Sequence, residues 1–275
     1  MVSRFVDPAE IERSRNLEFR CPSGSLRDKV VLIAGGTGGL GAALVAQLLL
    51  EHAIPVAGYR SNAARAATVK EKLEARYGGT VHLIEGDLTN AQSRREYIEA
   101  AARLTGNIQG LACFAGDPAR TQGEDLTQEE LLESYRANFT GPILLAKGAA
   151  EHMIANRVAG SLVLLSSMQG TGLFESSLNY AAPKSALIHA CRILAKQWSG
   201  QANLRINIVA PGATIAGMAQ ASVGSGKYDG YIEKGAVHRF GRPEDVARAV
   251  RFLLEPDGYI TGQVLVVDGG LSLRA

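Results

Sequence analysis

Seven short apolar, β-branched runs recur along the chain, separated for the most part by longer stretches of helical periodicity. This alternation constrains the fold more than any other feature. The runs are VVLIA (30–34), IPVAG (54–58), VHLIE (81–85), QGLACFA (109–115), SLVLLS (161–166), RINIVA (205–210) and QVLVVD (263–268). They lack polar alternation, so they suit strands covered on both faces, as in a parallel sheet. Helices are predicted near 39–52, 62–76, 91–104, 127–155, 178–199 and 243–254. The last opens on Pro243-Glu244-Asp245, a favourable first turn. Strand–helix alternation of this kind predicts a doubly wound α/β domain, placed at residues 29–275. Residues 1–28 read as a polar extension, with a helix start at Asp7-Pro8 and a linker at CPSGSLRDK.

Composition excludes several function classes. A net charge of +2 gives no strong field for nucleic acid or membrane. Cys21, Cys113 and Cys191 are odd in number and far apart, so they form neither a disulfide framework nor a metal-ligand set, and they suit a reducing compartment. The five histidines are scattered. No apolar run approaches membrane-spanning length, and the first twenty residues are too charged for a signal peptide. The expectation is a cytoplasmic protein without a metal.

Open parallel sheets bind ligands beyond the carboxyl ends of their strands. The first run is followed by GGTGGLG, residues 35–41. Glycines there form a tight turn and let backbone approach a pyrophosphate at a helix N-terminus. Two registers fit: Gly36, Gly38 and Gly41 as G-x-G-x-x-G, or Gly35, Gly39 and Gly41 as G-x-x-x-G-x-G, with Thr37 and Leu40 in the same loop. The second run ends at Tyr59-Arg60-Ser61, where an NAD site usually has an acid for the ribose 2′-hydroxyl. Arg60 instead suits a 2′-phosphate, which favours NADP(H) over NAD(H). Asp87-Leu88, Ala115-Gly116, Ser166-Ser167 and Pro211-Gly212 follow later runs, so all of them gather along one edge of the sheet.

The stretch SLNYAAPKSAL places Tyr180 and Lys184 one helical turn apart. Taken alone, the pair reads as an interfacial tyrosine and a solvated lysine. Pro183 between them implies that the helix either starts near Tyr180 or bends there. With AGGTGGLG (34–41), GDL (86–88), ANFTG (137–141), SSMQG (166–170), NYAAPK (179–184), RINIVAPG (205–212) and the closing HRFGRPEDVARAVRFLL and YITGQVLVVDGG, the chain resembles the short-chain dehydrogenase/reductase family over about residues 28–272. Among its members it looks most like 3-oxoacyl-(acyl carrier protein) reductases and related carbonyl reductases.

The resemblance implies a Rossmann-type seven-stranded parallel sheet with helices on both faces, and it selects Gly35, Gly39 and Gly41 as the phosphate-loop glycines. It implies that Tyr180 is the general acid–base. Lys184 holds the nicotinamide ribose and, together with the positive charge of the oxidised cofactor, favours tyrosinate. Ser167 orients the substrate oxygen, and Asn138 positions a water in a proton relay. Asn138 also reads as a buried asparagine compensating a helix irregularity. Ile215 is expected to give backbone contacts to the cofactor, and the loop 213–235, with Met218, Tyr228 and Tyr231, to face the substrate.

The resemblance further implies a homotetramer acting on a small ketone or alcohol. Acyl carrier protein as a partner finds no basic docking patch in QWSGQANL. Three positions depart from the family pattern. Cys113-Phe114 replaces a pair of asparagines, with Cys113 reading as a buried filler. Ala216 replaces a threonine. Gly38 stands where NADP-using members often carry a cation, which leaves Arg60 as the main 2′-phosphate candidate. A non-catalytic dinucleotide sensor on the same fold is the competing reading.

Overall fold

The computed structural model describes residues 8–16, 24–175, 177–226 and 228–273. Asp7, the expected helix cap, and Cys21 lie outside the described residues. A charged helix α1 (Pro8–Arg15) comes first. Strands β1 (Val30–Ala34), β2 (Ile54–Tyr59), β3 (His82–Glu85), β4 (Gly110–Cys113), β5 (Ser161–Leu165), β6 (Arg205–Pro211) and β7 (Val264–Val267) form one sheet in the order β3-β2-β1-β4-β5-β6-β7. Every neighbouring pair is parallel. The long helices are α2 (Gly39–Leu50), α3 (Ala63–Tyr77), α4 (Ala91–Thr105), α5 (Gln128–Tyr135), α6 (Gly141–Ala155), a one-turn α7 (Met168–Thr171) and α8 (Leu178–Trp198). The short α9 (Gln220–Gly224) and α10 (Asp229–Glu233) precede α11 (Pro243–Leu253).

The apolar runs are continuous because alternate residues serve two cores. Val30, Leu32 and Ala34 pack with Leu111, Leu162 and Ile206 beneath α4, α6 and α8. Val31 and Ile33 pack with Ala112, Val163 and Val209 beneath α2 and α11, with Leu73 and Tyr77 of α3 at the margin. Leu26, inside the expected linker, is fully buried in the second core. Its neighbour Ser25 donates to Glu255 at 2.8 Å. The first turn of α11 is closed by Asp245, which accepts from the Arg242 amide at 2.8 Å.

One expectation about helices changes and another is met. The stretch 127–155 is not one helix: α5 passes through a π-helical segment, Arg136–Thr140, into α6. The extra residue in that turn carries the buried Asn138 side chain. Helix α8 starts at Leu178, close to Tyr180 as expected, which leaves Pro183 inside it. Proline leaves the carbonyl four residues back without its helical donor. That carbonyl, Asn179 O, instead accepts from Ser134 Oγ of α5 at 2.5 Å. A buried carbonyl left unpaired would cost about 1–3 kcal/mol, so a hydroxyl from another helix makes the proline tolerable.

Candidate active site

The strand order reverses between β1 and β4, and the cleft opens at their carboxyl ends. On the β2 side lies a cavity of ≈ 590 Å³ bounded by Gly35, Gly38, Gly39, Leu40 and Gly41, by Arg60, Asp87 and Leu88, and by Ala115 and Gly116. Helix α2 begins there with Gly38 as N-cap, no capping side chain and no acid in the first turn. By contrast, α3, α4 and α5 are capped by Asn62, Asn90 and Thr127. The uncapped amides of α2 therefore face the cavity with their positive end, a donor set that fits a pyrophosphate. At Gly39 a Cβ would stand 2.8 Å from the Gly217 amide nitrogen, so only glycine lets the 216–217 segment close over this loop.

Arg60 has company. Arg65, in the first turn of α3, lines the same cavity. Neither guanidinium has a hydrogen-bond or ion-pair partner among the described residues. The Tyr59 hydroxyl donates to Glu85 at 3.2 Å, which draws that carboxylate toward Tyr59. Asp87 closes its own turn by accepting from the Thr89 amide at 2.8 Å. This cavity fits an adenine dinucleotide: a cationic end, uncapped helix amides in the middle and a small-residue floor at Ala115-Gly116.

A second cavity of ≈ 770 Å³ continues from the first, sharing Leu40, Phe114, Pro118 and Met218. Ser167, Tyr180, Lys184, Pro211 and Gly212 line it, as do Tyr228 and Tyr231. Ser167 ends β5 and caps α7, its Oγ accepting from the Gln169 amide at 3.2 Å. Its side chain also bears on the Tyr180 phenol, favouring the ionised form against the effect of burial. Lys184 is 2% exposed, and its Nζ donates to Leu165 O at 3.0 Å while lying 5.6 Å from the Tyr180 ring centroid. Asn138 is fully buried, accepting from the Asp117 amide at 3.0 Å and donating to Ser134 Oγ at 3.2 Å. A Cβ on Gly116 would stand 2.7 Å from Asn138 Oδ1 and 3.3 Å from Lys184 Nζ. Asn138 and Lys184 thus flank one point beneath the cleft.

Burial pushes the Tyr180 phenol up to about 12, with the Ser167 side chain opposing and Tyr228 and Asp117 adding to the rise. Burial brings the Lys184 ammonium down to about 8. In the protein without cofactor, burial is the largest influence on both groups, raising the phenol and lowering the ammonium. The Cys113 thiol beneath it is pushed up to about 11 by burial, which suits a packed filler.

Thr37, Ser61 and Ile215 do not line either cavity. The Ile215 amide donates to Gly241 O at 2.9 Å, and its side chain is exposed. Ala216 lines the larger cavity in its place. The sequence reading missed Arg65, whose signal was its place in the turn after Arg60. It also missed Met168, Gln169, Phe174 and Arg120, which no periodicity marks. Among the described residues no group of histidines, cysteines and carboxylates is placed to hold a metal, and no helix is long and apolar enough to cross a membrane.

Comparison with known proteins agrees with this geometry. The family model described as Enoyl-(Acyl carrier protein) reductase matches residues 35–272. The 3-oxoacyl-[acyl-carrier-protein] reductase FabG of Aquifex aeolicus is 33% identical over 250 residues, covering 90% of this chain and 98% of that protein. A glucose 1-dehydrogenase of Gluconobacter oxydans is 28% identical over 248 residues, covering 89% and 92%. A solved short-chain type dehydrogenase/reductase from Mycobacterium ulcerans superposes with a TM-score of 0.84 at 28% identity, covering 90% of this chain and 91% of that one.

Proposed function

The chain belongs to the short-chain dehydrogenase/reductase family, and from that premise we propose that it is an NADP(H)-dependent enzyme that reduces a ketone to a secondary alcohol. As a family member it is an oxidoreductase of carbonyl and alcohol groups that binds a nicotinamide dinucleotide. The observation that carries the finer reading is the convergence of Ser167, Tyr180 and the buried Lys184 on the cavity that continues from the dinucleotide cavity.

When bound, the nicotinamide supplies the hydride. The chain supplies the rest. The α2 amides and the glycine loop hold the pyrophosphate. The Ser167 hydroxyl orients the carbonyl oxygen and stabilises its growing negative charge. Tyr180, held protonated by burial, gives that oxygen its proton. Lys184, with an ammonium that titrates near 8, returns a proton toward Tyr180, and Asn138 positions the relay behind it.

Arg60 is the 2′-phosphate ligand in this reading, with Arg65 beside it. Each charge-assisted hydrogen bond is worth roughly 1.5–3 kcal/mol before desolvation. Partial exposure reduces the pair to a net preference of about 2 kcal/mol, about thirtyfold for NADPH over NADH. In fluorescence titrations, Arg60→Ala is expected to weaken NADPH by that factor and scarcely change NADH. Equal affinity of the unmodified protein for both cofactors would show Arg60 to be a surface residue only. The function itself is tested by following NADPH absorbance across a panel of ketones and alcohols.

Assembly belongs to the same proposal. Leu132, Leu144 and Ile193 are exposed on α5, α6 and α8, and Phe252, Leu265 and Val266 on α11 and β7. Two separate apolar faces suit a homotetramer with two kinds of contact. Light scattering at micromolar concentration is expected to give four times the chain mass, and a monomer there refutes it.

A further inference from the structure

We propose that Arg120 reads the substrate, and that the substrate is a ketone carrying a carboxylate a few bonds from its carbonyl. This rests on the carbonyl-reductase reading of the same cleft. Arg120 lines the ≈ 770 Å³ cavity together with Ser167 and Tyr180. Its guanidinium has no hydrogen bond or ion pair among the described residues. Several arginines have structural partners, among them Arg239 and Arg248 with Asp245, Arg251 with Glu51, and Arg205 with Pro256 O, whereas Arg120, like Arg60 and Arg65, lines a cavity unpaired among the described residues. An unpaired cation beside a reaction centre is unlike these structural ones.

The loop that carries Arg120 is built to hold it. Asp117 gives its amide to Asn138 Oδ1 at 3.0 Å and accepts from the Ala119 amide at 2.8 Å. Gln122 Nε2 donates to Ala119 O at 2.9 Å, and its Oε1 accepts from the Asn179 amide at 3.3 Å. Asn179 Nδ2 donates to Thr121 O at 3.2 Å. Both neighbours of Arg120 are therefore tied, and two of the ties reach the residue preceding Tyr180. Ala119 takes φ 44°, a left-handed conformation that costs an L residue energy and persists only where surroundings enforce it. The loop is thus a rigid mount that fixes Arg120 relative to the reacting phenol.

The chemistry follows from the charges. Arg120 and Lys184 face the cavity as cations, and Glu175 is its one acidic lining residue. Glu175 makes no ion pair with Arg120 among the described residues, so contact does not neutralise the guanidinium. A planar guanidinium matches a carboxylate through two parallel hydrogen bonds. The cavity lies within the size range of pockets for drug-sized ligands, about 300–1,000 Å³, so a minimal ketone would leave most of it empty.

The test uses 4-oxopentanoate, 5-oxohexanoate and 6-oxoheptanoate, each against its methyl ester, with the full chain and NADPH. The expected result is that at least one acid exceeds its ester about tenfold in kcat/KM, mainly through KM. Arg120→Met, which keeps the stem and removes the charge, is expected to bring that ratio to about one. Glu175→Gln is expected to raise it. Turnover of the esters with no acid preferred, or a preference unchanged in Arg120→Met, overturns the proposal and leaves the reductase reading standing. Where no ketone is turned over, the reductase reading fails and binding to the NADPH-loaded protein decides. Tighter binding of an acid than of its ester, lost in Arg120→Met, supports Arg120 as the anion reader. Binding without that difference, or none, overturns it.

Discussion

Tyr180→Phe lowers ketone turnover by at least about a hundredfold, the usual scale for loss of a general acid, while NADPH affinity stays within about twofold. The substitution removes one hydroxyl and keeps the ring against which Lys184 packs. The lost oxygen is the titrating atom of the phenol in the cavity it shares with Ser167. Its phenol is pushed up to about 12, so at neutral pH the native enzyme carries the proton to be given. The loss should fall on kcat, because the ring and the cofactor cavity are untouched. Stopped-flow NADPH oxidation on both proteins, with a cofactor titration alongside, measures it. Turnover comparable to the native rate removes Tyr180 from the chemistry.

The second large effect is a gain of stability with a loss of activity. Lys184 is buried, and its ammonium titrates near 8 instead of the usual 10.5. The unfolded chain therefore binds that proton more tightly, and folding stability rises with pH between about 8 and 10.5. Below about 8 the penalty is fully present, roughly 3 kcal/mol at 1.36 kcal/mol per pKa unit. Lys184→Met keeps the packing, removes the charge and leaves Leu165 O without its donor, which costs back about 1 kcal/mol. The cofactor-free variant is expected to be about 2 kcal/mol more stable than the native protein at pH 7, with the difference shrinking toward pH 10. Turnover falls by about a hundredfold because the proton source behind Tyr180 is gone. Urea unfolding at the two pH values checks the sign. A variant less stable at pH 7, with a gap indifferent to pH, contradicts the burial argument. The gain in stability on losing function is the usual trade at a strained site.

The strands were legible because burial on both faces writes itself into consecutive residues. Each of the seven runs became a strand with ends shifted by no more than two residues. The glycine loop and Ser167 were legible because they follow strands whose ends the fold gathers, whereas Tyr180 and Lys184, inside α8, were legible only through the family resemblance. What stayed hidden depends on contacts distant in sequence. The Ser134 hydroxyl that lets α8 accept Pro183 lies 45 residues from Asn179. The π-turn around Asn138 leaves the apolar pattern of 127–155 unbroken, so only Asn138 itself, readable as a buried asparagine at a helix irregularity, hinted at the change of helix. Arg65 and Arg120 carry no motif; each matters only because a loop or helix start aims it at the cleft. Desolvation of Tyr180 and Lys184 in the protein alone was likewise hidden, since spacing shows the lysine's charge but not its burial.

The central claim is hydride transfer to a carbonyl at this cleft, and isotope transfer tests it most directly. The protein is incubated with a ketone panel and NADPH carrying deuterium at its transferable position, and the products are analysed by mass spectrometry. The expected result is a secondary alcohol with one deuterium on its carbinol carbon, formed in step with NADPH loss and abolished in Tyr180→Phe. Tight NADPH binding with no deuterated alcohol from any ketone would contradict it and would leave a dinucleotide sensor on a reductase fold.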